Sequence, residues 1–405
     1  MILDYPIASI VGSILVTFLV ATLVGELIAR AGFLLPIGNR VGCIDGLRGY
    51  LALSVLAHHF IIWIQISRLG GSWSAPTVNF FNNLGAGGVA LFFMTTGFVF
   101  YPRVLAGFRA TSWTSTYTSR VFRIVPLIIV SVALITGIIS LRTGHGFDAS
   151  FPKAAAEWIT SWGEPPLLGY ADSGRLNAYV LWSLWHEWLF YLFVLPTCAL
   201  GMDLIRGRAP SWTIPLGLLL ISLVFRRCSW LRGTSQFLPL FAVGMLAFEC
   251  QLHDALRQVL RGKLFAITAL VSLVIGMVSA PTPYNPVQVA LYGFFFICIA
   301  CGNDLIGLLR TNGSLVLGEC SYGIYLMHGI FLSLLFWDGA SAIRDFSANK
   351  IPVLLPFVAL GVVCVTAVSF LVIEQPAIRA GSAISNILRL GISRWRLSPA
   401  KNSGV

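Results

Sequence analysis

Apolar residues occur along this chain in long runs separated by short polar segments. Runs of about 20 residues are long enough for a helix to cross a hydrocarbon core of roughly 30 Å. Strands of a membrane β-barrel would instead alternate apolar and polar side chains. The runs predict eleven helices, at residues 7–29, 47–67, 84–101, 124–141, 178–201, 212–225, 236–249, 264–280, 287–302, 320–337 and 353–373. The predicted fold class is therefore all-α, a polytopic transmembrane bundle of about eleven helices.

Two of these runs, 212–225 and 236–249, are short for a full crossing, so the threading of residues 212–249 stays open at the sequence level. The longest polar segment, 142–177, contains Gly, Pro and charges of both signs. The first run follows Asp4 and no Lys or Arg, which favours a retained helix over a cleaved signal peptide.

Composition agrees with a membrane protein, since 57% of the residues are apolar, 11% are charged and the mean hydropathy is +0.83. A soluble domain carries about 25% charged residues. The net charge of +11 is explained by the positive-inside bias of cytoplasmic loops, and no nucleic-acid partner is expected. With the N-terminus outside, eighteen Lys and Arg residues fall inside and nine outside. This tally predicts a cytoplasmic C-terminus, although the cluster Arg226, Arg227 and Arg232 opposes it.

The eight cysteines lie mostly within or beside apolar runs. Cys298 and Cys301 have CxxC spacing, but "FFFICIACG" places them in an apolar run without a second pair of ligands. This context favours core packing, and no metal site is predicted.

The stretch "IDGLRGYLALSVLAHHF" places charged groups in a membrane helix, where each is expensive unless it faces a partner or a cavity. Arg48 and His59 fall on one helix face, about 16 Å apart along the axis. Asp45, three residues before Arg48, can pair with it, and His58 points elsewhere. A plainer interpretation has His59 hydrogen-bonding to a neighbouring helix.

Two further stretches carry buried charge. In "YTSRVFRIVP", Arg120 and Arg123 share a helix face and predict either an anion clamp or a simple orientation signal. In "LWSLWHEWLFYL", the tryptophans, Trp182 among them, fit interfacial anchoring, which does not explain Glu187. A carboxylate at that depth must pair, take up a proton or line a cavity.

A fourth stretch, "CSYGIYLMHG", places Ser321, Tyr325 and His328 in one polar stripe. Such a stripe either joins helices by hydrogen bonds or lines a tunnel. With the arginines and Ser321 near the cytoplasmic face and the histidines deeper, the four stretches predict a polar path across the membrane. We expect Glu187 to enter this path from the outer side.

Together these motifs resemble those of the membrane acyltransferase family 3, which includes bacterial O-acetyltransferases of cell-surface glycans. The matching segments are "DGLRGYLALSVLAHH" (R-x10-H), "LFFMTTGFVF", the RxxR of Arg120 and Arg123, "WSLWHEWLFY", "SYGIYLMH" and "IEQPAIR". They run in the family's order from about residue 44 to 379, with MTTGF where the family has LSGF.

The resemblance implies a ten-helix acyltransferase domain at 44–379. An added helix with a cytoplasmic linker is then expected at 1–43, and a basic cytoplasmic tail at 380–405. Some relatives carry an SGNH domain, which we do not expect here, so the membrane domain acts alone or with a separate extracytoplasmic protein. A bacterial inner-membrane location follows from the same resemblance.

The resemblance also implies acetyl-CoA, or another acyl-CoA, as cytoplasmic donor and a glycan or glycolipid hydroxyl as acceptor. We expect donor binding by Arg120, Arg123, Arg48, Ser321 and Tyr325. The expected catalytic residues are His59, as general base or acyl carrier, with Glu187 and Arg48. The substrate path is expected to include His58, Asp45, Trp182 and His328. The main alternative is a proton-coupled transporter or a flippase, because buried Arg, Glu and His also form proton relays.

Overall fold

The computed structural model describes residues 7–33, 41–69, 72–226, 232–338, 343 and 348–397. Apart from shorter turns, the helices are α1 Ile7–Arg30, α2 Gly42–Leu69, α3 Asn79–Ala106, α4 Trp113–Thr143, α5 Phe151–Ile159, α6 Leu181–Ile205, α7 Thr213–Phe225, α8 Leu238–Leu252, α9 Asp254–Leu260, α10 Lys263–Ser279, α11 Pro286–Ala300, α12 Asn312–Glu319, α13 Ser321–Ser333, α14 Leu354–Ser369 and α15 Gln375–Leu397. Helix α6 contains one wider π turn, Phe190–Val194, and another, Phe370–Glu374, joins α14 to α15.

The predicted all-α multi-pass bundle is confirmed. Within the described ranges, seven helices are long and apolar enough to cross a membrane. Two more crossings result if each bent pair counts once: α9 with α10, bent by 74°, and α12 with the helix Ser321–Trp337, bent by 69°. Helices α7 and α11 are apolar but shorter. Every one of the eleven predicted runs therefore contains a helix.

Some sequence predictions fall partly on residues outside these ranges. They are the start and the linker of segment 1–43, the end of the tail 380–405, and Arg227 in the cluster that opposes the charge tally. The domain boundaries and the orientation of the termini stay predictions.

Glycines allow the central helices to approach closely. A Cβ atom at Gly97 of α3 would overlap the carbonyl oxygen of Phe241 in α8. The contact is reciprocal, since a Cβ at Gly244 of α8 would overlap the Met94 carbonyl. Such small residues let membrane helices pack backbone against backbone. Gly25 of α1 meets Gly313 of α12 in the same way, so α1 is packed into the bundle.

The polar segment between α4 and α6 folds onto α13. Ala178 and Tyr179 have left-handed backbone angles, with φ of 55° and 49°. A Cβ at Gly329 would come within 2.5 Å of the Asn177 carbonyl carbon, so only glycine allows this turn to touch the helix. The contact fixes the residues just before α6 against α13.

Candidate active site

A cavity of about 590 Å³ opens between α2, α3, α4, α6 and α13. It collects polar side chains from segments far apart in sequence. Seven of the predicted site residues line it: Asp45, Arg48, Arg120, Arg123, Glu187, Ser321 and Tyr325. Some of these residues come from the starts of α2, α4 and α13. The packing of the bundle therefore brings together polar side chains that are far apart in the sequence.

The positive charge of the cavity comes from three arginines. Arg48 lies 3.7 Å from the carboxylate of Asp45, the pairing expected from their spacing. The guanidinium of Arg120 stands over the ring of Phe100, 5.0 Å from its centroid. Its buried Nε has no hydrogen-bond partner among the described residues. A buried donor without a partner is costly, so this nitrogen is suited to an anionic ligand.

Glu187 lies in the same cavity, where hydroxyl groups hold its carboxylate. Thr96 donates to Oε1 at 3.1 Å, and Tyr191 donates to Oε2 at 2.8 Å. Neither partner was predicted, although Tyr191 is four residues from Glu187 on its helix. No hydrogen bond joins Glu187 to a histidine among the described residues. Glu187 thus shares the arginine-lined space.

Tyr325 lines the cavity on the side of α13. Its hydroxyl lies 2.7 Å from the Ser183 hydroxyl and donates to the Val180 carbonyl at 3.2 Å. Its ring is 5.9 Å from Phe92 on one side and 6.3 Å from His328 on the other. Ser321, which also lines the cavity, donates its hydroxyl hydrogen to the Gly318 carbonyl within its own chain segment.

The three predicted histidines are not among the residues that line the cavity. His328 Nε2 and His59 Nδ1 are 2.9 Å apart. His58 instead donates from Nδ1 to the Phe81 carbonyl at 3.0 Å and packs against Gly85. His58 and His328 are buried, whereas His59 stays partly exposed. Of the two adjacent histidines, His59 is therefore the one that a substrate can reach.

Trp73 covers the histidine pair, a role that its sequence context gave no reason to expect. Its ring stacks on that of His59 at 5.8 Å and meets Tyr179 at 5.3 Å.

Trp182, expected in the substrate path, lies outside both groups. It is 40% exposed and packs against Phe237 and His186. This position fits the interfacial anchoring that its aromatic neighbourhood also suggested.

Among the described residues, no group of three or more His, Cys, Asp or Glu side chains is placed to hold a metal ion. The site therefore consists of two parts. One is a cationic cavity, and the other is a histidine pair under an aromatic cover.

Comparison with known proteins assigns the chain to a family. The model of an acyltransferase domain family matches residues 41–374. The chain is 25% identical over 375 residues to nodulation protein 10 of Rhizobium leguminosarum bv. viciae, covering 84% of this chain and 94% of that protein. No solved structure matches the chain significantly. Because this family match covers residues 41–374, most of the chain, the chain belongs to acyltransferase family 3 and is a multi-pass membrane acyltransferase.

Proposed function

We propose that the protein transfers an acetyl group from cytoplasmic acetyl-CoA to a hydroxyl of a cell-surface glycan or of its lipid-linked precursor. The observation that carries the proposal is the division of one helix between two environments. Arg48 of α2 lines the cationic cavity, and His59 of the same helix contacts His328. A polyanionic donor and a neutral hydroxyl acceptor need such different surroundings.

The cavity is assigned to the donor. Coenzyme A carries phosphates, and arginine guanidinium groups bind phosphate through several hydrogen bonds at once. Arg48, Arg120 and Arg123 supply the charge, and the unpartnered Nε of Arg120 supplies one donor. Ser321 and Tyr325 would lie along the pantetheine arm. Because Tyr325 lines the cavity and its ring lies 6.3 Å from that of His328, we expect its side chain to move when the acyl group passes to His59.

The histidine pair is assigned to the chemistry. The acceptor oxygen attacks the acyl carbonyl carbon while His59 removes the proton of the hydroxyl. The carbon–sulfur bond then breaks, and the proton passes from His59 to the departing CoA thiolate. In a two-step variant, His59 itself carries the acyl group before the acceptor attacks. Glu187, held by Thr96 and Tyr191, would orient the arginine side of the donor site.

The location follows from the same proposal. The donor cavity would open to the cytoplasm and the histidine pair would face the outer side of a bacterial inner membrane. The N-terminus is then outside and the C-terminus inside. Residues 44–379 would form the acyltransferase domain, with or without a separate extracytoplasmic protein to receive the acyl group.

The test uses purified protein in detergent with radiolabelled acetyl-CoA and a candidate glycan. The readouts are CoA release and labelling of glycan and protein. His59→Ala should abolish transfer, whereas His145→Ala, whose ring bonds to the Leu168 carbonyl in the segment between α4 and α6, should not. Stable labelling of the protein would favour the two-step variant.

Full transfer by a folded His59→Ala protein would refute the catalytic assignment. Transport of a glycan or small anion in liposomes without any acyl-CoA requirement would favour the transporter or flippase alternative.

A further inference from the structure

The contact between the two histidines is continued by a third group, the backbone of α13. His328 Nδ1 lies 3.0 Å from the carbonyl oxygen of Ile324, one turn earlier on its own helix. His328 Nε2 lies 2.9 Å from His59 Nδ1, with the two rings stacked 5.0 Å apart. A carbonyl, an imidazole and a second imidazole therefore form one chain of hydrogen bonds.

The direction of this chain is fixed by its first member. A carbonyl oxygen can only accept, so the hydrogen of neutral His328 must be on Nδ1. Its Nε2 is then unprotonated and can only accept, which requires a hydrogen on His59 Nδ1. The lone pair of His59 is left on Nε2. We infer that His328 is the positioning residue of the site and holds His59 in the tautomer whose Nε2 acts as base.

The surroundings of His328 hold it in one place. Its side chain is fully buried. The next residue, Gly329, packs against the backbone of Asn177 and Ala178 so closely that no Cβ would fit. The titratable groups facing the pair are His58, whose ring is 4.9 Å from that of His59, and Tyr325, 6.3 Å from His328. His58 is already bonded to the Phe81 carbonyl, and Tyr325 to Ser183 and Val180.

The inference rests on the proposed function for its use of His59 as base, but the tautomer can be measured without any reaction. The experiment is NMR of the full chain labelled with 15N-histidine in detergent. His59 is assigned by its loss in His59→Gln. In the wild type, His59 Nδ1 should give a protonated-nitrogen signal and Nε2 an unprotonated one. A hydrogen on Nε2 instead would overturn the inference, whatever the activity.

Two substitutions then separate positioning from packing. His328→Gln keeps an oxygen that can accept a hydrogen bond from His59 Nδ1. His328→Leu keeps a similar side-chain volume but has no acceptor. His328→Leu should lower kcat on the order of 10²–10⁴-fold, the contribution typical of general acid–base catalysis, with KM for acetyl-CoA unchanged. His328→Gln should retain most of kcat, and its His59 signals should stay as in the wild type.

Equal losses in a folded His328→Gln protein, or full activity in His328→Leu, would overturn the inference. Thermal unfolding and gel filtration of each variant establish that it is folded. His145→Gln is the matched control and should change neither the His59 signals nor kcat. If His59→Ala keeps full transfer while the NMR result holds, the proposed function fails and the tautomer assignment stands.

Discussion

Arg48 and His59 share one face of α2, yet only Arg48 reaches the cationic cavity. Tyr325 lines the cavity, and its ring lies 6.3 Å from that of His328. One helix thus connects the proposed donor cavity to the histidine proposed as the base. Replacing Arg48 and replacing His59 should consequently change different kinetic parameters.

Arg48→Gln should raise KM for acetyl-CoA by roughly 10- to 100-fold, because a charged hydrogen bond is worth about 1.5–3 kcal/mol. Its kcat should change little. His59→Gln should lower kcat on the order of 10²–10⁴-fold, with KM for acetyl-CoA nearly unchanged. Steady-state kinetics with varied acetyl-CoA distinguishes the two, and Arg48→Lys, which keeps the charge, should lie between wild type and Arg48→Gln. The same pattern in both variants would contradict the division of the site.

Trp73 should protect the base from water. Its ring covers His59 at 5.8 Å, so removing it exposes the nitrogen that would otherwise meet the acceptor. Trp73→Ala should release CoA from acetyl-CoA severalfold faster than the wild type when no acceptor is present, because water takes the place of the hydroxyl. Trp162→Ala is the control, since Trp162 is 68% exposed in the segment between α4 and α6 and contacts Trp185. Unchanged hydrolysis in Trp73→Ala would show that the cover plays no part in excluding water.

Much of this arrangement follows from local sequence. Long apolar runs predict the helices because backbone groups in lipid must be satisfied within each helix. The pairing of Asp45 with Arg48 follows from three-residue spacing, and Tyr191 could have been expected beside Glu187 from four-residue spacing. Each of these relationships lies within one helix, where periodicity determines the neighbours.

Relationships between helices could not be predicted in this way. The contact of His59 with His328 depends on how α2 and α13 are packed, which no periodicity encodes. The same holds for Thr96 beside Glu187 and for Trp73, which comes from a loop without a repeating pattern. The helix-face argument put Arg48 and His59 on one path, but it could not show that only Arg48 lines the cavity.

The close packing of α3 on α8 gives a prediction about stability. Gly97→Ala would place a methyl group against the carbonyl oxygen of Phe241. Because this oxygen belongs to the backbone of α8, the overlap can be relieved only if α3 and α8 move apart. Overpacking of this kind costs about 1–3 kcal/mol. Gly137→Ala in α4, where nothing lies within 4 Å of the added atom, should instead be neutral or gain about 0.5–1 kcal/mol from helix propensity. Thermal unfolding of both variants in one detergent measures the difference, and equal midpoints would contradict the packing described for α3 and α8.

Glu164 gives a prediction about pH. It lies in the segment before α6, where its Oε1 accepts the Leu181 N–H at 2.8 Å and its buried Oε2 has no hydrogen-bond partner among the described residues. Burial raises the pKa of this carboxyl from 4.5 to about 8. Between these values the folded chain keeps a proton that the unfolded chain has released. Stability must therefore fall as the pH rises through this window, at most by about 1.4 kcal/mol per pH unit.

Glu164→Gln removes this titration and keeps an oxygen for the Leu181 N–H. The quantity to follow is the difference in the free energy of unfolding, wild type minus Glu164→Gln. This difference should decline from about pH 4.5 to about pH 8 and be level outside that window. Unfolding midpoints of the two proteins at matched pH values measure this difference. The contributions of all other titrating groups cancel in it, because both proteins share them. Parallel curves would show that Glu164 titrates normally. Since Glu164 holds the first turn of α6, which carries Ser183 and Glu187, the wild type alone should also lose activity faster on incubation at pH 9.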